Sequence, residues 1–227
     1  MLKLIRLEMK KTNFTFYIQR ALVASIVITG FLFVMLYFDR DLIPTGSEEF
    51  LFITDSITRM VFIIFSGVLI SKLIIEEYNN KTITLMFTYP IERKKILIAK
   101  LLIIISFTFL SIVITKILAL ATLSILTNYL HFINENITLS MIFEHFKNTI
   151  LYDFSASGVS LVALSFGMKQ MSVRTTIVAS VIIAILLGIS NESISVGSFI
   201  VVPITLTTIG LVITYLSISS IDQKDVF

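Results

Sequence analysis

The sequence contains no cysteine, so disulfides, thiol catalysis and thiolate metal sites are excluded. It has only two histidines, His131 and His145, too few for a histidine-rich metal centre. Charge is scarce. Asp, Glu, Lys and Arg together make up 15% of the chain, where a soluble domain carries roughly a quarter. None of the eight glycines precedes a Lys-Ser or Lys-Thr pair at the spacing of a phosphate-binding loop. No internal repeat and no low-complexity linker divides the chain, which reads as one domain.

What the chain has in abundance is apolar surface. Hydrophobic residues make up 56% of its 227 positions, and its mean hydropathy is +0.96. Such a chain cannot cover that surface in water, so it belongs in a bilayer. A spanning helix needs about 20 mostly apolar residues. Six segments qualify: Ile18–Phe38, Ile57–Ile75, Leu101–Leu126, Thr149–Met168, Thr175–Ile189 and Phe199–Ile218. The fold class expected is therefore an all-α integral membrane protein of six transmembrane helices. The basic lead-in "MLKLIRLEMKKTNFTFYIQR" precedes a hydrophobic run too long for a signal peptide and reads as leading into a retained first span.

Lys and Arg placement gives the orientation. With the N-terminus in the cytoplasm, fourteen of the eighteen basic residues fall inside. They are Lys3, Arg6, Lys10, Lys11, Arg20, Lys72, Lys81, Arg93, Lys94, Lys95, Lys100, Lys169, Arg174 and Lys224. Arg40, Arg59, Lys116 and Lys147 fall outside or within spans. Six spans then return the C-terminus to the cytoplasm. Residues 1–20 can place Leu2, Ile5, Met9 and Phe16 on one side and Lys3, Arg6, Lys10 and Lys11 elsewhere. That pattern suits a basic amphipathic helix lying among anionic headgroups. A disordered basic leader is the alternative.

The densest cluster of charge, "EEYNNKTITLMFTYPIERKKILIAK" (Glu76–Lys100), lies in a cytoplasmic loop between two very apolar stretches. Pro90, with Glu92 just after it, suits the first turn of a helix running into the third span. Before it, Ile83, Leu85, Met86 and Phe87 form an apolar patch. Exposed apolar side chains on such a loop either contact a protein or lie on the inner leaflet.

This stretch resembles the first cytoplasmic loop of ABC exporter permeases of the type-2 class. The matching positions are Glu76 or Glu77, Lys81, Thr82, Leu85, Tyr89, Pro90, Ile91, Arg93 and Lys100. Glu92 stands where many members have Ser or Thr. The six-span layout and basic lead-in agree. The re-entrant helices of that class are not obvious in "GISNESISVGSFIVVP". The resemblance implies one permease domain over residues 1–227, with 1–20 an interfacial helix and 76–100 a coupling loop. It implies that Ile83, Leu85, Met86 and Phe87 fill a groove on a separately encoded ATP-binding cassette subunit, that Glu76, Glu77, Lys81, Thr82, Tyr89, Pro90 and Arg93 complete the coupling interface, and that the charges around the patch set register. ATP and magnesium belong to that subunit, and this chain has no catalytic residue. The implied assembly pairs two permease copies with two ATPases in the bacterial cytoplasmic membrane, against lipid and without nucleic acid. Small size resembles the permeases that export or give immunity to bacitracin, lantibiotics or phenol-soluble modulins.

Three further groups stand out. Lys116 and Asp153 lie inside apolar runs, where ionisable side chains cost several kcal/mol. They either pair or snorkel separately to the outer headgroups. Asp55 and Arg59, one turn apart, read as a cap and anchor for span two. Ala156, Ser160, Ala163 and Gly167 form a small-residue stripe suited to close helix packing or to a serine-lined path. A CAAX-type membrane protease would need Glu76 and Glu77 near the histidines, which the topology puts across the bilayer. A secondary transporter would need ionisable groups near the midplane.

Overall fold

Unpaired backbone groups in hydrocarbon cost several kcal/mol each, so a chain this apolar must bond its backbone internally. The computed structural model does so with helices alone among the described residues, which are 2–38, 47–80, 93–130, 139–188, 205 and 207–214. Helix α1 spans Leu2–Lys11 and α2 spans Phe14–Phe38. Helix α3, Ser47–Ile70, widens into a π-helical turn at Ser71–Ile75 and ends in the short α4, Glu76–Asn79. Helices α5 (Arg93–Leu130), α6 (Leu139–Val159), α7 (Val162–Gln170) and α8 (Val173–Gly188) follow. Residues 207–214 are also helical.

Among the described residues four helical stretches are long and apolar enough to cross a membrane: Phe14–Met35, Phe50–Asn79, Lys95–Ser124 and Ser140–Gln170. Helix α8 has 16 residues. At 1.5 Å per residue it reaches about 24 Å, less than a hydrocarbon core of roughly 30 Å. Of the sixth expected segment, Phe199–Ile218, only 205 and 207–214 are described. Span two differs from its expected bounds. Its helix starts at Ser47 rather than near Ile57, so Asp55 and Arg59 lie within it and cap nothing. The helix continues through these polar residues because α5 and α6 supply partners for their charges.

Two sharp turns redirect the chain. Asn13 takes a left-handed φ of 46°, a conformation asparagine tolerates, and turns α1 into α2. Met171, also at 46°, ends α7 before Ser172 starts α8. Between α6 and α7 the backbone tightens into i→i−3 bonds, Leu161 N–H to Gly158 O at 3.2 Å and Leu164 N–H to Leu161 O at 2.9 Å.

The helices run alternately up and down. One end of the bundle holds Glu8, Glu77, Lys100, Gly167 and Thr176. The other holds Asp55, Lys116, Asp153, Met60 and Gly188. Apolar side chains fill the space between in two clusters, one around Phe62, Ile63 and Ile112, the other around Ile70, Ile74 and Ile104. Phe65 and Phe107 pack against both. Lipid gives no hydrophobic drive between helices, so close approach depends on small residues. Gly67 on α3 accepts Ser180 of α8, and Gly188 accepts Met60. Helix α2 is the least buried of the four long stretches and turns Val23, Ile26, Val27 and Phe31 outward.

Candidate functional site

Helix α5 carries a buried lysine near each end of its membrane stretch, Lys100 and Lys116. Sixteen residues apart on one helix, they stand about 24 Å from each other. Each is the hub of a charge cluster.

At the Lys116 end the ion pairs close into a ring. Lys116 Nζ is 2.9 Å from Asp55 Oδ1 and 2.7 Å from Asp153 Oδ2. Arg59 reaches the remaining oxygens, with its NH2 group 3.1 Å from Asp55 Oδ2 and its Nε 2.8 Å from Asp153 Oδ1. Two cations and two anions alternate, and each carboxylate uses both oxygens. Lys116 also donates to Thr149 Oγ1 at 3.2 Å. His145 Nε2 lies 3.3 Å from Asp55 Oδ2, and Arg59 sits over the Tyr152 ring at 5.6 Å. The ring ties α3, α5 and α6 together and is neutral without His145. Asp55, Lys116 and Asp153 are all within 5% of full burial, and neutrality is what makes that tolerable.

The structure thus brings Lys116 and Asp153 into contact. It also recruits Asp55 and Arg59, read from sequence as a cap and anchor for span two, and His145, which the sequence did not connect with them. Only the i,i+4 spacing of Asp55 and Arg59 hinted at their part.

At the Lys100 end the pairs form an open chain. Lys100 Nζ donates to the Leu73 carbonyl oxygen at 2.7 Å and to the Glu77 carboxylate. Lys11 Nζ lies 3.0 Å from the other Glu77 oxygen, and Glu8 Oε2 is 3.9 Å from Lys100. Glu76 pairs with Lys72 one turn earlier. This cluster joins α1, the π turn, α4 and α5. The π turn is held on both sides. Ser71 Oγ donates to Val68 O at 2.8 Å, and Lys100 occupies Leu73 O.

Asn80 ends α4 and Arg93 opens α5, and these two helices, which flank residues 81–92, meet in the Lys100 cluster. Lys81, Thr82, Ile83, Leu85, Met86, Phe87, Tyr89 and Pro90 lie outside the described residues, as does the side chain of Arg93. Of the expected coupling residues, Glu76 and Glu77 are described, and both make ion pairs at the root of the loop.

On α1, Glu8 rather than an apolar stripe is the most buried side chain. Ile5 is half-buried, whereas Met9 and Phe16 are exposed, so the expected apolar face is rotated. The cause is the Lys100 ammonium, which draws Glu8 inward.

Ala156, Ser160, Ala163 and Gly167 are all buried, but the stripe is interrupted at Ser160–Leu161, where α6 gives way to α7. Ser160 Oγ bonds back to Ser157 O at 2.7 Å. Gly167 abuts Thr176, with Ile75 Cδ1 3.1 Å from where a Cβ would stand. Gly158 and Gly210 bring the last helical stretch against α6, a contact unforeseen from sequence. Among the described residues no group of three or more His, Asp or Glu is placed to hold a metal ion. His145 and Glu77 sit in opposite clusters, too far apart for the shared centre of a membrane protease.

Residues 4–191 match the family model described as ABC-2 family transporter protein. The chain is also 38% identical, over 99% of its own length and 100% of the relative's, to the uncharacterized protein YcbO of Bacillus subtilis (strain 168). No solved structure matches.

Proposed function

The chain belongs to the ABC-2 family of transporter proteins, as a membrane subunit of an ABC transporter, and from that premise we propose that it is half of an ATP-driven exporter of amphipathic or antimicrobial peptides. Its loop at 76–100 docks on a separate ATP-binding cassette subunit, which holds ATP and magnesium. A second permease copy completes the path. The observation that carries this reading is the fastening at the root of the loop. Glu77 on α4 and Lys100 on α5 are joined by an ion pair, so a push on the loop reaches two spans at once.

Orientation follows from charge. Lys3, Arg6, Lys10, Lys11, Lys72, Lys100, Lys169 and Arg174 all belong to helix ends on the Lys100 side. In the proposed arrangement that side is cytoplasmic. Both termini then lie inside, six segments cross or enter the bilayer, and α1 rests among the inner headgroups. Its exposed face mixes Leu7 and Met9 with Lys3, Arg6 and Lys10. An amphipathic cargo fits spans whose buried charges, among the described residues, fall in two self-neutralised end clusters. A coupling-ion site would require an ionisable group left over.

The test is the double substitution Leu85→Asp with Phe87→Asp. Two large apolar side chains are worth roughly 1.5–3 kcal/mol each when buried, and an unpaired buried carboxylate adds a penalty. Every 1.4 kcal/mol weakens association about tenfold. The variant is expected to insert normally, fail to pull down the cassette from detergent and lose coupled ATPase activity. Undiminished pull-down with normal coupled activity would show that the patch serves the lipid instead.

A further inference from the structure

Lys100 is 1% exposed, so its ammonium must keep a partner through any movement of its surroundings. It stands on a well-packed helix, between Leu97, Leu101 and Ile104 of the core. Two carboxylates flank it from two different elements. Glu77, on the loop-bearing α4, is bonded to it, and Glu8, on α1, waits 3.9 Å away. Glu8 is itself 7% exposed, and its Oε2 has no hydrogen-bond partner. A buried carboxylate oxygen left unbonded beside a buried ammonium calls for an explanation. The segment that carries Glu77 is joined to α3 through the π turn. Within that turn, α-helical i→i−4 bonding gives way to an i→i−5 bond from Glu76 N–H to Ser71 O, the kind of local irregularity that recurs at functional sites.

We propose that Lys100 is a positioning residue acting as a two-place catch, bonded to Glu77 while α4 is seated and passing to Glu8 when the loop draws α4 away, with Ser71–Ile75 as the hinge. The proposal rests on the loop reading above. The exchange strands no charge. Glu77 keeps Lys11, whose half-exposed side chain lies 3.0 Å from it and can follow the motion. Lys100 needs to move only about 1 Å to reach hydrogen-bonding distance from Glu8. Both arrangements hold the same two cations and two anions together, so the switch changes no net charge in the cluster.

The test uses the full-length chain in lipid nanodiscs. Glu8→Gln and Glu77→Gln each leave Lys100 one carboxylate, so each is expected to unfold close to wild type. The double variant strands the ammonium and should melt far below the sum of the two single losses. Simple additivity, or a single variant as damaged as the double, overturns the catch. A second arm reads the motion. The chain has no cysteine, so nitroxides can be placed singly at Asn79 and Lys169, both exposed. With the cassette subunit bound, a non-hydrolysable ATP analogue is expected to change the wild-type distance. Glu8→Gln should keep the resting distance and the pull-down but lose most of that change. A full nucleotide-dependent change in Glu8→Gln overturns the catch and spares the loop reading. A bound cassette with no change in the wild type overturns the loop reading, and the stability arm still decides whether Lys100 has two places.

Discussion

Neutralising Lys116 tests the ring most directly. Lys116→Met keeps the length and apolar bulk of the stem but leaves Asp55 and Asp153 sharing the Arg59 cation, with His145 beside Asp55. Removing one partner from a buried pair costs about 3–5 kcal/mol, because the remaining charge is left uncompensated. Asp153→Asn should cost a similar amount by leaving two cations on Asp55. The informative variant is the double. Lys116→Met with Asp153→Asn removes one charge of each sign and leaves Asp55–Arg59, an i,i+4 pair at 3.1 Å. It should be no less stable than either single, although adding the singles gives about 6–10 kcal/mol. Removing both cations, Lys116→Met with Arg59→Met, should instead be worse than either single. Unfolding in detergent followed by helical circular dichroism reads the three singles, Arg59→Met included, and the two doubles. Additive losses in the Lys116/Asp153 double would mean that the two residues act separately, and that the ring is a geometric coincidence.

Two other substitutions probe the scaffold. A Cβ on Gly67 would run into the Ser180 side chain, so Gly67→Ala should destabilise by about 1–3 kcal/mol; adding Ser180→Gly should recover most of the loss in the same melting assay. Met171 is 44% exposed and sits at a left-handed φ that costs a non-glycine residue about 1–2 kcal/mol. Met171→Gly relieves that strain, offset by glycine's greater freedom when unfolded, and a melting temperature below wild type would show that the turn is unstrained.

The membrane class and the helical content were legible because they depend on sums over many residues. Hydropathy over windows of about 20 residues finds Phe14–Met35 or Lys95–Ser124 without tertiary knowledge. Lys116 and Asp153 were conspicuous for a related reason, since charge inside an apolar run is rare. The partners were less visible. Asp55, Arg59 and His145 lie among polar neighbours in sequence, where a loop or a helix start explains them equally well. Only packing of α3 and α6 on α5 shows that they answer Lys116. Glu8 was hidden in a basic leader read for its lysines, and the π turn has no residue signature in "SKLII". The Gly158–Gly210 approach joins segments distant in sequence, and no local pattern encodes it.

The two clusters are built from similar charges but differ in connectivity, and that difference assigns them different mechanical parts. In the ring every carboxylate oxygen already holds a cation, so a helix that leaves must break two ion pairs with no acceptor waiting. In the open chain Lys100 has Glu8 in reserve. Helix α5 enters both clusters, and α3 enters the ring directly and reaches the open chain through the π turn and α4, so the Lys116 end is suited to act as a pivot and the Lys100 end as the moving part. Under the proposed function, a force on the loop would open the helices from the Lys100 side while the ring keeps their far ends in register. The neutral double variant, Lys116→Met with Asp153→Asn, separates this role from stability. It keeps charge balance and should keep the fold, but it removes the bonds that hold α6 to α5. Cassette binding is therefore expected to persist while transport per ATP hydrolysed falls. A double variant that folds and transports at the wild-type ratio would mean that the pivot lies elsewhere and that the ring only neutralises its own charges.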